Sequence, residues 1–174
     1  MHAAAGLSSM LFVPGGKPER YAKALNSAAD AVCIDLEDSV PAADKAMARK
    51  AALDAIAEGD SRLVLRINGV ATRAGLEDIL ALADVPVMPS LLFVPMVESA
   101  AEIAIVKAVL GDKTPPLVPL IETVKGLNDA GAIASAPGVA AMMFGGGDFS
   151  AELGVALAWE PLRTARGLFI MACA

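Results

Sequence analysis

Acidic side chains, one arginine and a run of glycines recur directly after short apolar segments of this 174-residue chain. In chain order they are Glu37, Asp38, Arg66, Asn68, Glu98, Glu122, and Asp148 behind Gly145, Gly146 and Gly147. Carboxylates bind hard cations, arginine binds anions, and glycine lets backbone N–H groups approach a bound anion closely. The pattern therefore predicts a site that combines a divalent cation with an anionic substrate.

Glu122 and Asp148 are the predicted metal ligands, because they follow the last two apolar segments, which would form adjacent strands. Two carboxylates completed by water and substrate oxygens suit Mg²⁺. His2 is the only histidine, so a histidine-rich zinc or iron site is excluded, as is a Ser–His or Cys–His nucleophile. The general base is then a carboxylate, a water or a group from another chain.

Six apolar segments that alternate with helical stretches must position these residues. The predicted strands cover residues 9–14, 31–36, 63–67, 90–94, 117–121 and 139–144. The predicted helices cover residues 18–29, 41–58, 75–82 and 125–134, with one from a Ser99–Glu102 capping box to Gly111, a loop over 145–160 and a last helix from 161. This alternation predicts an α/β fold with a parallel sheet, whose strands end at one edge. That edge carries the active site in such folds.

Composition and charge exclude several classes of protein. Apolar residues make up 56% of the chain and the mean hydropathy is +0.58, which excludes disorder. The net charge of −6 opposes binding to phosphate backbones, so we predict no nucleic-acid partner. Neither Cys33 nor Cys173 has a CxxC or zinc-ligand context.

We predict no membrane partner and a cytoplasmic location. Residues 1–10 lack the basic start and long apolar core of a secretory signal. The uncharged run over 130–147 is long enough to suggest a membrane helix, but glycines and Pro137 interrupt it. A loop and a buried strand fit this run better.

Six short motifs resemble the citrate lyase beta-subunit-like family, part of the HpcH/HpaI aldolase/citrate lyase superfamily. They are LFVPG at 11–15, AVCIDLED at 31–38, RIN at 66–68, VESA at 97–100, LIET at 120–123, and FGGGD at 144–148 with ELG at 152–154. Each motif alone is weak, but all six occur in the family's order over residues 9–170.

This resemblance implies a TIM-type (β/α) barrel, Mg²⁺, and a C–C bond cleaved or formed beside a keto acid through a metal-stabilised enolate. Glu122 and Asp148 match the family's metal ligands. Arg66 matches the arginine that holds the keto-acid oxygen, and Glu37 matches the acid packed beside it. Asp35 is expected to pair with Arg66 in a structural role.

Further contacts are expected with the substrate. The amides near Gly146 and Gly147 would bind its carboxylate. Glu98 is either an acid of the substrate site or a charge that favours the start of the next helix. Lys17 and Arg20 are candidates for contact with the phosphates of a CoA-type ligand, or are solvated charges.

Two features depart from the family pattern. Met96 stands where the family commonly has lysine, which removes a cation from the site and would alter the substrate. A full (β/α)8 barrel needs about 250 residues, whereas only six βα units are visible here. We therefore predict a single domain over residues 1–174 that is truncated relative to the full barrel. Homo-oligomerisation or an unusual closure would cover its open edges, unless the chain is a fragment.

Three functions remain open on the sequence alone. The first is a Mg²⁺-dependent carbon–carbon lyase acting on a keto acid of the oxaloacetate or pyruvate class, or on a hydroxyacyl-CoA. The second is an acyl-CoA thioesterase on the same fold. The third is a non-catalytic barrel fragment or subunit.

Overall fold

The computed structural model describes residues 6–174, so His2 lies outside the described residues. Six strands form one parallel sheet in the order β1-β2-β3-β4-β5-β6. Their bounds are β1 Met10–Pro14, β2 Ala31–Asp35, β3 Leu63–Arg66, β4 Leu92–Val94, β5 Leu117–Ile121 and β6 Met143–Phe144. All six predicted strands are confirmed. The sixth is shorter than predicted, with an isolated bridge from Val139 to Leu117 before it.

Eight α-helices connect or follow the strands in the described part of the chain. They are α1 Tyr21–Leu25, α2 Lys45–Ala57, α3 Arg73–Ala83, α4 Ala100–Leu110, α5 Val124–Asn128, α6 Ala130–Ala134, α7 Gly146–Leu153 and α8 Trp159–Ala172. Short 3-10 turns precede α1 and α2 and follow α4. None of the helices within residues 6–174 combines the length and apolarity that crossing a membrane requires.

The two faces of the sheet have different surroundings. Outward residues such as Ile34 and Leu65 pack in the main core with Ala52 of α2 and Ile103 of α4. Residues of opposite parity, among them Cys33, form a smaller cluster on the inner face. Sequential strand order with helices on one face gives a curled half-barrel, which agrees with a truncated TIM-type barrel. Closure into eight strands is not observed within residues 6–174.

Several predicted boundaries were wrong. The helix expected over 18–29 ends at Leu25, and the one expected over 125–134 divides into α5 and α6 at Asp129. Ser99 precedes α4 but forms no side-chain cap, because Glu102 Oε1 accepts from the Glu98 N–H and the Ser99 hydroxyl instead.

The loop predicted over 145–160 was wrong, because this segment contains α7. The correction affects the site, since α7 carries Asp148. Glycine disfavours helix locally, so the sequence indicated a loop. Phe149 is buried against Phe144, with ring centroids 5.0 Å apart, and clusters with Leu162 of α8. This tertiary packing stabilises a helix that its own sequence favours only weakly.

Candidate functional site

Arg66 lies at the carboxyl edge of the sheet within a group of acids. The strand register places it beside Asp35, whose carboxylate accepts from Nε at 2.7 Å and from Nη2 at 2.9 Å. Glu37 Oε2 lies 2.8 Å from Nη1, and Asp38 Oδ2 lies 3.6 Å from Nη2. The predicted pairing with Asp35 is confirmed, and its bidentate geometry fixes the plane of the guanidinium.

The two acids closest to Arg66 have opposite electrostatic behaviour. Burial opposes ionisation of Asp35, but hydrogen bonds from Arg66 and Ser39 hold its pKa below the usual range. Burial raises the pKa of Glu37 to about 8, against the pull of Arg66 and with help from Asp38 and Glu122. Glu37 Oε2 is also buried without a hydrogen bond, because its ion pair with Arg66 is poorly aligned. Glu37 is therefore a carboxyl group that can hold a proton near neutral pH.

Phe12 is a part of this site that the sequence analysis missed. Its ring lies under Arg66, with the guanidinium carbon 5.5 Å from the ring centroid. Phe12 is on β1, two residues before Pro14, which pairs in register with Asp35. Side chains two positions apart on a strand point to the same face, so Phe12 lies on the same inner face as the residues that surround Arg66. This alternation along the strand is a signal that the sequence contains.

Glu122 directly follows β5 and is buried. The Met96 N–H donates to its Oε2 at 2.9 Å, whereas Oε1 accepts no hydrogen bond from residues 6–174. Burial raises the pKa of Glu122, Met96 lowers it, and the negative charge of Asp148 raises it further. A Cβ added to Gly145 would lie 2.8 Å from Glu122 Cδ, so glycine is required where the two strand ends meet.

Asp148 is in the first turn of α7 and is exposed. Its negative charge contributes to the raised pKa of Glu122, so the two carboxylates lie within electrostatic range of each other. No group of three His, Cys, Asp or Glu side chains within residues 6–174 forms a ready-made metal cage. Mg²⁺ does not require one, since it commonly takes one or two carboxylates and keeps several waters. Glu122 with its free Oε1 and the exposed Asp148 therefore fit Mg²⁺.

The remaining residues predicted to contact the substrate or CoA have no contact with Arg66 or Glu122 among those described above. Glu98 is in an ion pair with Lys125 of α5 at 2.9 Å, and this pairing lowers the pKa of Glu98. Gly146 and Gly147 begin α7, where backbone N–H groups lack helical partners, so their role toward a carboxylate remains a prediction. Lys17 and Arg20 are exposed near β1, and their contact with CoA also remains a prediction.

A buried network behind Arg66 was also missed. Asp78 of α3 accepts from the Asn68 N–H at 2.8 Å, from Asn68 Nδ2 at 2.7 Å and from Arg49 Nε at 2.7 Å. These bonds fix the loop that follows Arg66. Asn68, one of the polar residues that follow the apolar segments of the sequence, is therefore a buried part of the support for the site.

Comparison with known proteins identifies the family of this chain. The profile of the HpcH/HpaI aldolase/citrate lyase family matches residues 8–172. The chain belongs to this family. The resemblance inferred from six short motifs is thereby confirmed.

Family members with similar sequences differ in the reaction that their names describe. A (3S)-malyl-CoA thioesterase of Cereibacter sphaeroides is 35% identical over 156 residues, covering 88% of this chain and 53% of the relative. An L-malyl-CoA/beta-methylmalyl-CoA lyase of Rhodobacter capsulatus is 35% identical over 159 residues, covering 84% of this chain and 50% of the relative. This chain therefore spans about half the length of the curated relatives that it matches.

A solved family structure is also similar in fold. The citrate lyase beta subunit of Mycobacterium tuberculosis, complexed with oxaloacetate and magnesium, superposes with a TM-score of 0.82 at 34% identity. The match covers 99% of this chain and 76% of that one. The half-barrel described above is therefore an architecture that exists in a magnesium-bound member of the family.

Proposed function

We propose that this chain carries the metal and keto-acid site of a Mg²⁺-dependent carbon–carbon lyase. The observation that carries the proposal is the state of Glu122, which is buried, held through one oxygen and free at the other, beside Asp148. A family structure with magnesium and oxaloacetate, and a relative named as a malyl-CoA lyase, support the same class of ligand.

In this proposal Glu122 and Asp148 hold Mg²⁺, which would withdraw electron density from the carbonyl of a chelated keto acid. Arg66 would donate an N–H to the oxygen on the keto carbon, which takes up negative charge when cleavage leaves the enolate of the keto acid, and which is the alkoxide that becomes the carbonyl when a hydroxyacyl-CoA is cleaved. Asp35 orients the guanidinium through two hydrogen bonds, so Arg66 needs no rearrangement during the reaction. The N–H groups of Gly146 and Gly147 bind the substrate carboxylate.

Glu37 completes this arrangement as the group that exchanges a proton. Its Oε2 is buried and lies 2.8 Å from Arg66 Nη1, and its pKa of about 8 makes both protonation states accessible near neutral pH. Lys17 and Arg20 would contact the phosphates of a CoA thioester. Glu98 would reach the substrate only by leaving Lys125.

The alternative reaction is hydrolysis of an acyl-CoA thioester, and it is favoured by the relative named as a malyl-CoA thioesterase. The same cation and arginine would then polarise a thioester carbonyl for attack by water. Met96 at the rim of the site, where the family commonly has lysine, bears on the choice of substrate. A non-catalytic role is the remaining alternative.

Calorimetric titration of oxaloacetate and of pyruvate tests the proposed site, first with Mg²⁺ and then with EDTA. We expect binding that requires Mg²⁺ and is abolished by Asp148→Ala, with Glu160→Ala as a control at an exposed acid of α8. Equal affinity in EDTA would refute the metal site. No binding to the folded protein would favour the non-catalytic role.

Hydroxyacyl-CoA substrates distinguish the two reactions. Cleavage of the C–C bond yields a carbonyl compound and an acyl-CoA, and releases no free thiol. Thioester hydrolysis releases free CoA, which a thiol reagent detects. We expect carbonyl product without free thiol, and release of free thiol alone would replace the lyase with the thioesterase.

Homo-oligomerisation is proposed for the open edges of the half-barrel. β1 and β6 each pair on one side only within residues 6–174. Leu11 and Phe12 on β1 and Met143 on β6 are partly exposed apolar side chains at these edges. Light scattering should give a mass above 17.7 kDa, and a monomer at all concentrations would contradict this.

A further inference from the structure

Met96 interrupts the regular pairing of β4 with β5. The Leu92 N–H donates to the Pro116 carbonyl, 24 residues along the chain, whereas the Val97 N–H donates to the Leu120 carbonyl, 23 residues along. The β4 side therefore contains one residue more than the β5 side between these two bonds. This is the count that defines a β-bulge.

The packing of neighbouring side chains gives the same result independently. Val94 and Val97 are both fully buried in the core between the sheet and the helices. Residues on one face of a regular strand are separated by two positions, but these two are separated by three. The extra residue is absorbed between them, at Pro95 and Met96.

Met96 has a φ of 54°, and it is the only non-glycine residue with positive φ within residues 6–174. A side chain as large as methionine disfavours this left-handed region, so the conformation persists only where its surroundings impose it. The bonds of Leu92 and Val97 to β5 impose it here. The result is that the Met96 N–H leaves the ladder and donates to Glu122 Oε2 at 2.9 Å.

Glu122 needs such a donor because it is buried. A carboxylate without hydrogen bonds in that position would be costly, and a freely rotating one would not present a defined oxygen to a cation. With Oε2 held by Met96, Oε1 is directed to the place where a Cβ of Gly145 would lie. That is the point at which the chain leaves β6 toward Asp148.

We propose that the one-residue bulge at Met96 is the positioning device of the metal site, because its N–H holds Oε2 of Glu122 and leaves Oε1 for a divalent cation. This inference rests on the proposed function, in which Glu122 is a metal ligand. It assigns the role to the backbone of Met96 rather than to its side chain. A residue that tolerates positive φ should therefore support the site, and a β-branched residue should not.

Mg²⁺ titration of the 174-residue chain tests this assignment. Met96→Leu and Met96→Gly should keep the Mg²⁺ affinity within threefold of wild type, whereas Met96→Val should weaken it at least tenfold. Met143→Val is the matched control, since Met143 is 38% exposed on β6 and Met96 is 40% exposed. Wild-type affinity in Met96→Val, or an equal loss in Met143→Val, would overturn the proposal.

A second measurement keeps the test independent of folding in Met96→Val. Met96→Gly removes the strain at positive φ, so its thermal midpoint should equal or exceed that of wild type. Met143→Gly has no such strain to relieve and should lower the midpoint. A fall of the same size in both variants would contradict a strained bulge.

Amide exchange separates failure of this inference from failure of the proposed function. In the metal-free protein, Glu122→Leu should accelerate exchange of the Met96 amide at least tenfold, while the Val97 amide keeps its wild-type rate. Unchanged exchange at Met96 would overturn the positioning role even if Mg²⁺ binds. Accelerated exchange in Glu122→Leu, combined with no Mg²⁺ binding by the wild-type chain, would refute the metal site. The bulge would then hold the Glu122 carboxylate but would not position a metal ligand.

Discussion

Gly145→Ala is expected to weaken Mg²⁺ binding without requiring a change in backbone conformation. The φ of Gly145 is −87°, which alanine adopts readily. Its new Cβ would clash with Glu122 Cγ and Oε1 and would lie 2.8 Å from Cδ, so the end of the side chain must move by more than about 0.7 Å to reach ordinary van der Waals separation. The hydrogen bond from Met96 opposes that movement.

The expected loss of Mg²⁺ affinity can be estimated from the displacement of the Glu122 carboxylate. Displacing a ligand or its support commonly costs 10- to 100-fold in metal affinity, or about 1.4–2.7 kcal/mol. Overpacking a buried site adds about 1–3 kcal/mol of lost folding stability. We therefore expect a 10- to 100-fold weaker Mg²⁺ affinity by calorimetry and a lower free energy of unfolding by denaturant titration.

Gly147→Ala is the matched control, because its added Cβ would meet no atom within 4 Å beyond its chain neighbours and the backbone of its own helix, and it lies two residues after Gly145 in the first turn of α7. It should keep the Mg²⁺ affinity and gain up to about 1 kcal/mol of stability from helix propensity. Wild-type Mg²⁺ affinity in Gly145→Ala would refute the argument that Glu122 is a ligand held in a fixed position.

Three further predictions concern the group around Arg66. Asp35→Ala should lower the free energy of unfolding by about 3–5 kcal/mol, because it breaks a buried pair, whereas Asp38→Ala, 69% exposed, should change it by less than about 0.5 kcal/mol. Glu37 keeps its proton up to about pH 8 in the folded state but loses it near pH 4.5 in the unfolded chain. The free energy of unfolding of the metal-free protein should therefore fall as the pH rises from about 4.5 to about 8. Glu37→Gln should make the free energy of unfolding less dependent on pH in this range. Phe12→Leu should weaken oxaloacetate binding severalfold through loss of the stacked ring, and unchanged affinity would remove Phe12 from the site.

Much of the site was predictable because parallel strands place their carboxyl ends together. The apolar segments identified the strands, and the polar residues after them marked one edge of the sheet. The ion pair between Asp35 and Arg66 followed from the same logic, since adjacent strands in register bring the two residues side by side. Predictions of this kind depend on local periodicity, which the sequence carries directly.

Other parts depended on contacts between distant residues. Helix α7 was predicted as a loop because its glycines disfavour helix, and burial of Phe149 against Phe144 reversed that preference. Glu98 forms an ion pair with Lys125, 27 residues later in the chain, and no local pattern in the sequence predicted that contact.

The sequence by itself therefore determined the parallel α/β architecture, the family and the set of charged residues at one edge. Only the tertiary structure decided how Glu122 is held. The bulge at Met96 results from a mismatch of one residue between β4 and β5, which no local pattern encodes. Its physical reason is the register of two strands, because the hydrogen bonds on either side force one residue out of the ladder and direct its N–H at a buried carboxylate.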